Sequence, residues 1–251
     1  MHRFYLPPDE CKTDAFFLNE PEAHHASHVL RIRRSEQVTL LDGQGSELLC
    51  EVQTCERKRV KLKVVERKSI PPLPFQITLL QAIPKGKIIE SIIQKATELG
   101  VARIVPLLTE RVTTRLDDDR AEQKNDKWQH VAIEAIKQCG AAWLPKVESP
   151  ITPAEFLSRN ESFELPLIGS LQPGSRHPRE YFDAFRSKHQ RTPRTVCIWI
   201  GPEGDFTEGE ISAAQASGAL PITLGRLVLR VETAATYCLS VLNYELLAPS
   251  A

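Results

Sequence analysis

Two glycine-containing segments near the C-terminal end of the chain have residue types that could bind a small ligand. In the first, Gly-Pro-Glu-Gly at positions 201–204 directly follows an apolar run at 196–200. A continuous apolar run predicts a strand buried on both faces, and open α/β sheets bind ligands in the loops after such strands. Glycines in that loop would allow the backbone to approach a ligand closely. The alternative is a plain strand-to-helix turn, because Thr207 and Glu210 have the spacing of a capping box.

The second segment, residues 224–235, places charged side chains beside another glycine. Arg230 and Glu232 alternate with apolar residues just before a predicted helix, for which Thr233 is a candidate N-terminal cap. Neither segment contains Gly-x-Gly-x-x-Gly or Gly-x-x-x-x-Gly-Lys-Ser/Thr, the fingerprints of dinucleotide and nucleoside triphosphate sites. We therefore expect the two segments to form one ligand site of a different kind.

Three prolines in four positions at 71–74 predict an extended linker. The predicted secondary structure that positions the two glycine segments differs before and after this linker. Before the linker, short alternating strands and turns predict a small β-barrel domain over residues 1–70. After it, alternating strands and helices predict an α/β domain with a mainly parallel sheet over residues 75–251. The expected strands are 37–41, 47–53, 59–65, 75–82, 102–106, 165–169, 196–200 and 222–224, and the expected helices are 87–99, 121–139, 180–188, 208–217 and 233–247.

Composition limits the classes of function. The chain has 32 Lys and Arg residues against 32 Asp and Glu residues, so no global positive field attracts nucleic acid and any RNA binding must be local. No apolar run reaches membrane-spanning length and no targeting segment is recognisable, so we expect a cytoplasmic protein without membrane contact. The six cysteines form no Cys-x-x-Cys pair, so we expect neither a metal cluster nor a disulfide framework.

Two basic clusters in the first domain are candidates for phosphate contact. In the strand expected at 59–65, apolar residues alternate with basic ones, which predicts one core face and one cationic face. The segment 57–68 contains seven basic residues and one acid. For this segment the alternative is a solvated edge strand whose lysines prevent aggregation. The second cluster lies at residues 24–34 and includes three histidines, and its alternative is a solvated turn. The candidates for RNA binding are His28, Arg31, Arg33, Arg34, Arg59, Lys61 and Lys63.

The two glycine segments together resemble the RsmE family of ribosomal small-subunit RNA methyltransferases. The matching residues are Ile-Gly-Pro-Glu-Gly at 200–204 and Leu-Gly-Arg-Leu-Val-Leu-Arg-Val-Glu-Thr-Ala at 224–234. Further matches lie at Lys87, 95–101, 109–111, 134–135, 138–140 and 28–31, so the resemblance spans nearly the whole chain.

The resemblance implies S-adenosylmethionine as methyl donor and N3 of a uridine in 16S rRNA of the 30S subunit as acceptor. It also implies a PUA-like N-terminal domain and a homodimeric catalytic domain of the SPOUT superfamily with a deep trefoil knot. In this interpretation Arg230 stabilises charge on the uracil oxygens, Glu232 orients Arg230, and Thr233 forms part of the pocket floor. The candidates for donor binding are Ile200, Gly201, Glu203, Gly204, Leu224, Gly225, Leu229 and Ala234.

Several alternatives stay open. Arg230 could instead form a structural salt bridge to Glu232 or Glu203, and Glu203 could brace its loop instead of contacting the donor. The chain departs from the family pattern at Asp205, where glycine is usual, and at Ala141, where arginine is usual. Another SPOUT enzyme, acting on a tRNA base or a ribose 2′-oxygen, therefore competes with the rRNA methyltransferase. So does an RNA-binding dimer that has lost catalysis.

Overall fold

The computed structural model describes residues 1–56, 59–111 and 118–247, without the side chains of 118–123. Arg57 and Lys58 of the basic segment thus lie outside the described residues. The chain divides into two compact units: unit 1 is Met1–Pro72 with Ile133–Leu144, and unit 2 is Leu73–Ala132 with Pro145–Ala251. Within the described residues no helix is long and apolar enough to cross a membrane.

Unit 1 is built on a five-stranded sheet with the strand order β1-β3-β4-β5-β2. The ladders are antiparallel except for the parallel pair β1 and β3. The hairpin of β4 and β5 is longer than the alternation predicted, and β1, β2 and α1 were not predicted because they are too short to establish a period. The elements are β1 (Arg3–Tyr5), β2 (Ala15–Phe17), α1 (Glu20–His24), β3 (Gln37–Leu41), β4 (Ser46–Glu56) and β5 (Arg59–Ser69).

The segment Ile133–Leu144 belongs to unit 1, although the helix that carries its first half starts in unit 2. The Arg3 guanidinium donates to the carbonyl oxygen of Gln138 at 3.0 Å, and the Trp143 indole donates to the carbonyl oxygen of Ile70 at 2.9 Å. These contacts join residues far apart in the sequence, so no local pattern indicated them.

Unit 2 contains a six-stranded sheet with the order β11-β9-β10-β6-β7-β8, in which every ladder is parallel. This confirms the predicted α/β unit with a parallel sheet. The strands are β6 (Gln76–Ala82), β7 (Arg103–Leu107), β8 (Lys146–Val147), β9 (Leu165–Gly169), β10 (Thr195–Ile200) and β11 (Leu220–Ile222). The helices are α2 (Ile88–Glu98), α3 (Asp118–Cys139), α4 (Pro153–Ser158), α5 (Pro178–His189), α6 (Glu208–Ala216) and α7 (Val231–Leu247).

Two predicted boundaries near the second glycine segment were wrong. Strand β11 is Leu220–Ile222 and not 222–224: its ladder with β9 ends at the pair of Ile222 and Gly169, and the chain then turns at Gly225 (φ 109°). Helix α7 begins at Val231, two residues before the predicted start. Thr233 therefore lies in the first helical turn and is not the N-terminal cap.

Candidate functional site

Three neighbouring strands of unit 2 bring their carboxyl ends to one edge of the sheet. Since β11, β9 and β10 are adjacent and parallel, the loops that follow them meet there and line a cavity of about 470 Å³. That volume is in the range of small-molecule sites. Nine of the residues predicted for donor binding or catalysis line it: Ile200, Gly201, Glu203, Leu224, Gly225, Leu229, Arg230, Glu232 and Ala234.

Two predicted site residues do not line the cavity. The carbonyl oxygen of Gly204 accepts a hydrogen bond from the Arg111 guanidinium, and a β-carbon at Gly204 would lie 3.5 Å from the Arg111 side chain. Thr233 is exposed on α7. The structure thus places Gly204 in a contact between loops and Thr233 on the helix surface.

Sequence reasoning missed a third loop of the site. Ser170 and Leu171, directly after β9, line the cavity together with Gly169. The predicted strand at 165–169 could have indicated this loop, because the loops after parallel strands lie at one edge of the sheet. The sequence did not show that this strand lies between the two that carry the glycine loops. The other lining residues without a prediction are Ile88, Pro202, Asp205, Leu227, Val228 and Val231.

The loop after β10 lines the cavity and also leads into the start of α6. The sequence had presented a ligand loop and a plain strand-to-helix turn as alternatives, and this loop is both. The backbone N–H of Glu210 donates to Thr207 Oγ1 at 3.3 Å, and the backbone N–H of Thr207 donates to Glu210 Oε2 at 2.8 Å. The predicted capping box is therefore confirmed. Upstream, Glu203 Oε1 accepts a hydrogen bond from the backbone N–H of Lys85 at 3.0 Å. Glu203 thus braces its loop while it lies on the cavity wall.

Asp205 keeps the turn intact in spite of replacing the usual glycine. Its φ of 59° is left-handed, a conformation that Asp tolerates better than most residues. Its N–H donates to the carbonyl oxygen of Pro202 at 2.9 Å, and its Oδ1 accepts from the N–H of Phe206 at 2.8 Å. A β-carbon on Gly201 would lie only 2.9 Å from Asp205 Oδ1, so a larger residue at position 201 would force the carboxylate to move.

The second glycine loop offers its backbone to a ligand. Residues 226–229 form no backbone hydrogen bond with any other described residue, and Leu227 and Val228 are exposed by 76% and 80%. Arg230 is exposed as well, and no ion pair joins it to Glu232 or Glu203 in the part of the chain that the structure describes. The salt-bridge alternative for Arg230 is therefore not realised in this structure.

The cationic face predicted for unit 1 is present on β5. Val60 and Leu62 are fully buried, while Arg59 and Lys63 are exposed and Lys61 is half-buried. The neighbouring strand β2 adds Phe17, which is 40% exposed and was not predicted. The Arg59 guanidinium lies 4.0 Å from the centroid of the Phe17 ring. This face therefore combines cations with a partly exposed aromatic ring, the combination that single-stranded nucleic acids contact.

The second basic cluster is also on the surface of unit 1. His28 is exposed, stacks on His24 with ring centroids 4.4 Å apart and lies 2.8 Å from the Ser27 hydroxyl through Nδ1. The exposed basic residues that follow it are Arg31, Arg33 and Arg34.

Neither a metal cluster nor the two buried cysteines of the parallel-sheet unit offer a reactive centre among the described residues. No group of three or more His, Cys, Asp or Glu side chains there could hold a metal ion. Burial raises the pKa of the Cys197 thiol and of the Cys238 thiol to about 12 each. Both thiols therefore stay protonated at neutral pH and are poor nucleophiles.

Comparison with known proteins first defines the class. Residues 71–243 match the family model described as an RNA methyltransferase domain, and residues 18–65 match the RNA methyltransferase PUA domain. With the parallel sheet and its loop-lined cavity, these matches define an RNA methyltransferase that carries a PUA domain. The Synechocystis ribosomal RNA small subunit methyltransferase E is 31% identical over 96% of this chain and 77% of that protein. The chain belongs to the ribosomal RNA small subunit methyltransferase E family.

Other relatives agree with this assignment. The Bacillus subtilis ribosomal RNA small subunit methyltransferase E is 29% identical over 98% of this chain and 97% of its own length. A Legionella pneumophila methyltransferase solved with the bound cofactor SAM is 34% identical, with a TM-score of 0.86 over 96% of each chain. The Neisseria gonorrhoeae ribosomal RNA small subunit methyltransferase E, solved with bound S-adenosyl methionine, is 28% identical, with a TM-score of 0.84 over 97% of each chain.

Proposed function

We propose that this protein transfers a methyl group from S-adenosylmethionine to N3 of a uridine in 16S rRNA of the small ribosomal subunit. One observation carries the proposal: the two segments that match the family meet at the cavity edge of the sheet, where nine predicted residues line one site. The names of the relatives and the bound S-adenosylmethionine in two structural neighbours support the reaction and the donor. The position of the acceptor atom rests on the family resemblance.

The cavity fits the donor chemically. Leu171, Leu229 and Ile88 supply apolar surface for an adenine ring, and the backbone groups of residues 226–229 are free to bind polar donor atoms. Carboxylates on the wall favour the positive charge of the donor. When bound, S-adenosylmethionine supplies a methyl group that its positively charged sulfur activates for displacement. The residues of the chain hold it in line with the acceptor and exclude water.

Arg230 is the residue to which we assign the chemical step. The N3 proton would first leave to water, which places a negative charge on the ring that the two uracil oxygens share. N3 would then take the methyl group as the bond from sulfur to carbon breaks and its electron pair stays on sulfur. An unpaired guanidinium on the cavity wall would stabilise that charge. Glu232 lines the same wall and is proposed to orient Arg230 when the base is bound. Thr233, exposed outside the cavity, is proposed to face the RNA.

Unit 1 is proposed to hold the rRNA backbone. Arg59, Lys61 and Lys63 on β5, together with the exposed residues His28, Arg31, Arg33 and Arg34, would contact phosphates. Because the whole chain has no net charge, this local density of cations is what would draw RNA to unit 1.

Five finer features complete the proposal. We propose that two copies form a homodimer, supported by an apolar stripe on α7 where Tyr237, Tyr244 and Leu247 are exposed by 44%, 78% and 55%. The domain limits 1–70 and 75–251, the closure of the unit 1 sheet into a small barrel and a deep trefoil knot in unit 2 rest on sequence pattern and the family resemblance. An enzyme that modifies ribosomal subunits would act in the cytoplasm.

The test is methyl transfer to defined RNA. Purified protein is incubated with S-adenosylmethionine carrying a labelled methyl group and either 30S subunits, protein-free 16S rRNA or tRNA, and the digested nucleosides are identified by mass spectrometry. Labelled 3-methyluridine from one 16S position is expected. Label in tRNA or in a 2′-O-methylated ribose would support the other SPOUT enzymes. Failure to bind S-adenosylmethionine in calorimetry would support the dimer without catalysis.

A further inference from the structure

The donor cavity has an unbalanced charge. Its charged lining residues are three carboxylates, on Glu203, Asp205 and Glu232, and one guanidinium, on Arg230, which makes a net formal charge of minus two. None of the four forms an ion pair with another described residue. A cavity with low-dielectric walls concentrates such a field on whatever it binds.

Asp205 differs from the other two carboxylates in how firmly it is held. It is half-buried, and three restraints fix it: the left-handed backbone, the hydrogen bond from its N–H to Pro202 and the hydrogen bond from Phe206 to its Oδ1. Its Oδ1 occupies the space that a β-carbon on Gly201 would enter, directly after β10, and Asp205 lines the cavity. A fixed charge in a partly desolvated site acts more strongly than one on a mobile exposed side chain.

The methyl donor and the product of its reaction differ in net charge, so the field in the cavity acts on them differently. Both contain an amino acid end whose ammonium and carboxylate largely compensate each other. Only the donor has the uncompensated sulfonium charge, because transfer of the methyl group leaves S-adenosylhomocysteine with a neutral thioether. We infer that Asp205 is a specificity residue that favours the cationic donor over the neutral product, and so promotes exchange of product for fresh donor. This inference rests on the proposed function.

The role of Asp205 in the turn can be separated from its charge. In Asp205→Asn the amide oxygen can still accept from Phe206, and Asn tolerates left-handed φ at least as well as Asp. In Asp205→Gly the turn receives the residue best suited to it. Both variants remove one carboxylate from the cavity and are expected to fold. Glu208→Gln is the matched control, since Glu208 is an exposed acid three residues further on, outside the cavity lining.

The experiment is calorimetric titration of the full-length protein and these three variants with S-adenosylmethionine, with S-adenosylhomocysteine and with sinefungin, which has an ammonium group in place of the sulfonium. For Asp205→Asn we expect affinity for the two cationic ligands to fall about fivefold and affinity for S-adenosylhomocysteine to change by less than about twofold. The discrimination should shrink as salt is raised. Asp205→Gly should behave likewise, and Glu208→Gln should leave all three affinities unchanged.

Other outcomes would overturn the inference. Equal losses for all three ligands would make Asp205 a purely structural residue, and equal affinities in wild type and Asp205→Asn would remove it from donor selection. In both cases the wild type still binds S-adenosylmethionine, so the proposed function stands. If the wild type binds none of the ligands, the proposed function and the inference fail together.

Discussion

The Glu203 carboxylate and the backbone N–H of Lys85 form a hydrogen bond of 3.0 Å. Glu203 belongs to the loop after β10, and Lys85 lies between β6 and α2. Because β6 and β10 are neighbours in the sheet, this bond ties together two loops at its carboxyl edge. The bond supports the bracing interpretation of Glu203.

Two substitutions of Glu203 should distinguish the effect of its hydrogen bond to Lys85 from the effect of its negative charge. Glu203→Ala removes the acceptor, and we expect affinity for S-adenosylhomocysteine, a neutral probe of loop geometry, to fall about tenfold in calorimetry. Glu203→Gln keeps an oxygen that can accept from Lys85 and should stay within about twofold of wild type. Equal behaviour of the two variants would mean that the hydrogen bond does not shape the cavity.

Arg230→Ala should lower the rate of rRNA methylation at least about a hundredfold, because the charge developing on the acceptor base loses its cation. Arg230→Lys, which keeps the charge without the planar guanidinium, should retain an intermediate rate. Single-turnover kinetics with saturating donor measures the step, and calorimetry with S-adenosylhomocysteine checks that the cavity is intact. Full activity of Arg230→Ala would exclude it from the mechanism.

The cationic face of β5 should determine how RNA binding depends on salt. The double substitution Lys61→Ala and Lys63→Ala should weaken binding of 16S rRNA and lower the slope of log affinity against log salt by about 1.5, since two phosphate contacts are lost. Arg179→Ala with Lys188→Ala removes two exposed charges of α5 as a control and should leave the slope unchanged. Fluorescence anisotropy over a salt series gives both slopes. Identical slopes for the two double variants would place the RNA elsewhere.

Glu164 should make stability depend on acid pH. Hydrogen bonds from Arg191 at 2.7 and 2.8 Å and from the Arg194 backbone at 2.6 Å lower the pKa of its carboxyl from 4.5 to about 2. A lowered pKa means that the folded state favours the charged form, so the stabilisation is complete above about pH 4.5 and is lost as the pH falls toward 2.

Glu164→Gln should therefore destabilise the protein by about 1 kcal/mol at pH 7, a discounted value because the pair is partly exposed. The difference from wild type should shrink steadily below pH 4.5. Chemical unfolding at pH 7 and pH 3 measures it, with Glu36→Gln, an exposed acid without an ion pair among the described residues, as control. A difference that is the same at both pH values would contradict the linkage.

The ion pair of Glu22 and Lys137 should be costly to break. Both side chains are only 9% exposed, their charged atoms lie 2.7 Å apart, and Glu22 Oε2 has no hydrogen-bond partner among the described residues. Lys137→Met leaves the carboxylate buried without its cation and should destabilise unit 1 by about 3 kcal/mol at pH 7. Because burial raises the pKa of the Glu22 carboxyl, the loss should shrink as the pH is lowered and the carboxyl takes up a proton. Adding Glu22→Gln should restore most of the stability, and a further loss in the double variant would contradict this account.

Local patterns in the sequence were sufficient for the elements that form the site. The apolar run before Gly201 predicted β10, and the spacing of Thr207 and Glu210 predicted the capping box that starts α6. The alternation on β5 predicted which side chains are buried. These features depend on neighbours a few residues apart, so hydrophobic period and hydrogen-bonding side chains suffice to encode them.

Contacts between distant segments were decided only by the tertiary structure. The strand order β11-β9-β10 brought Leu171 to the cavity, and pairing of β2 with β5 placed Phe17 beside Arg59. Asp205, a doubtful departure in the sequence, became a fixed carboxylate on the cavity wall once its turn and its approach to Gly201 were known. The physical reason is that periodicity records only whether a residue is buried, whereas the partner it is buried against depends on the packing of strands that are far apart in the chain.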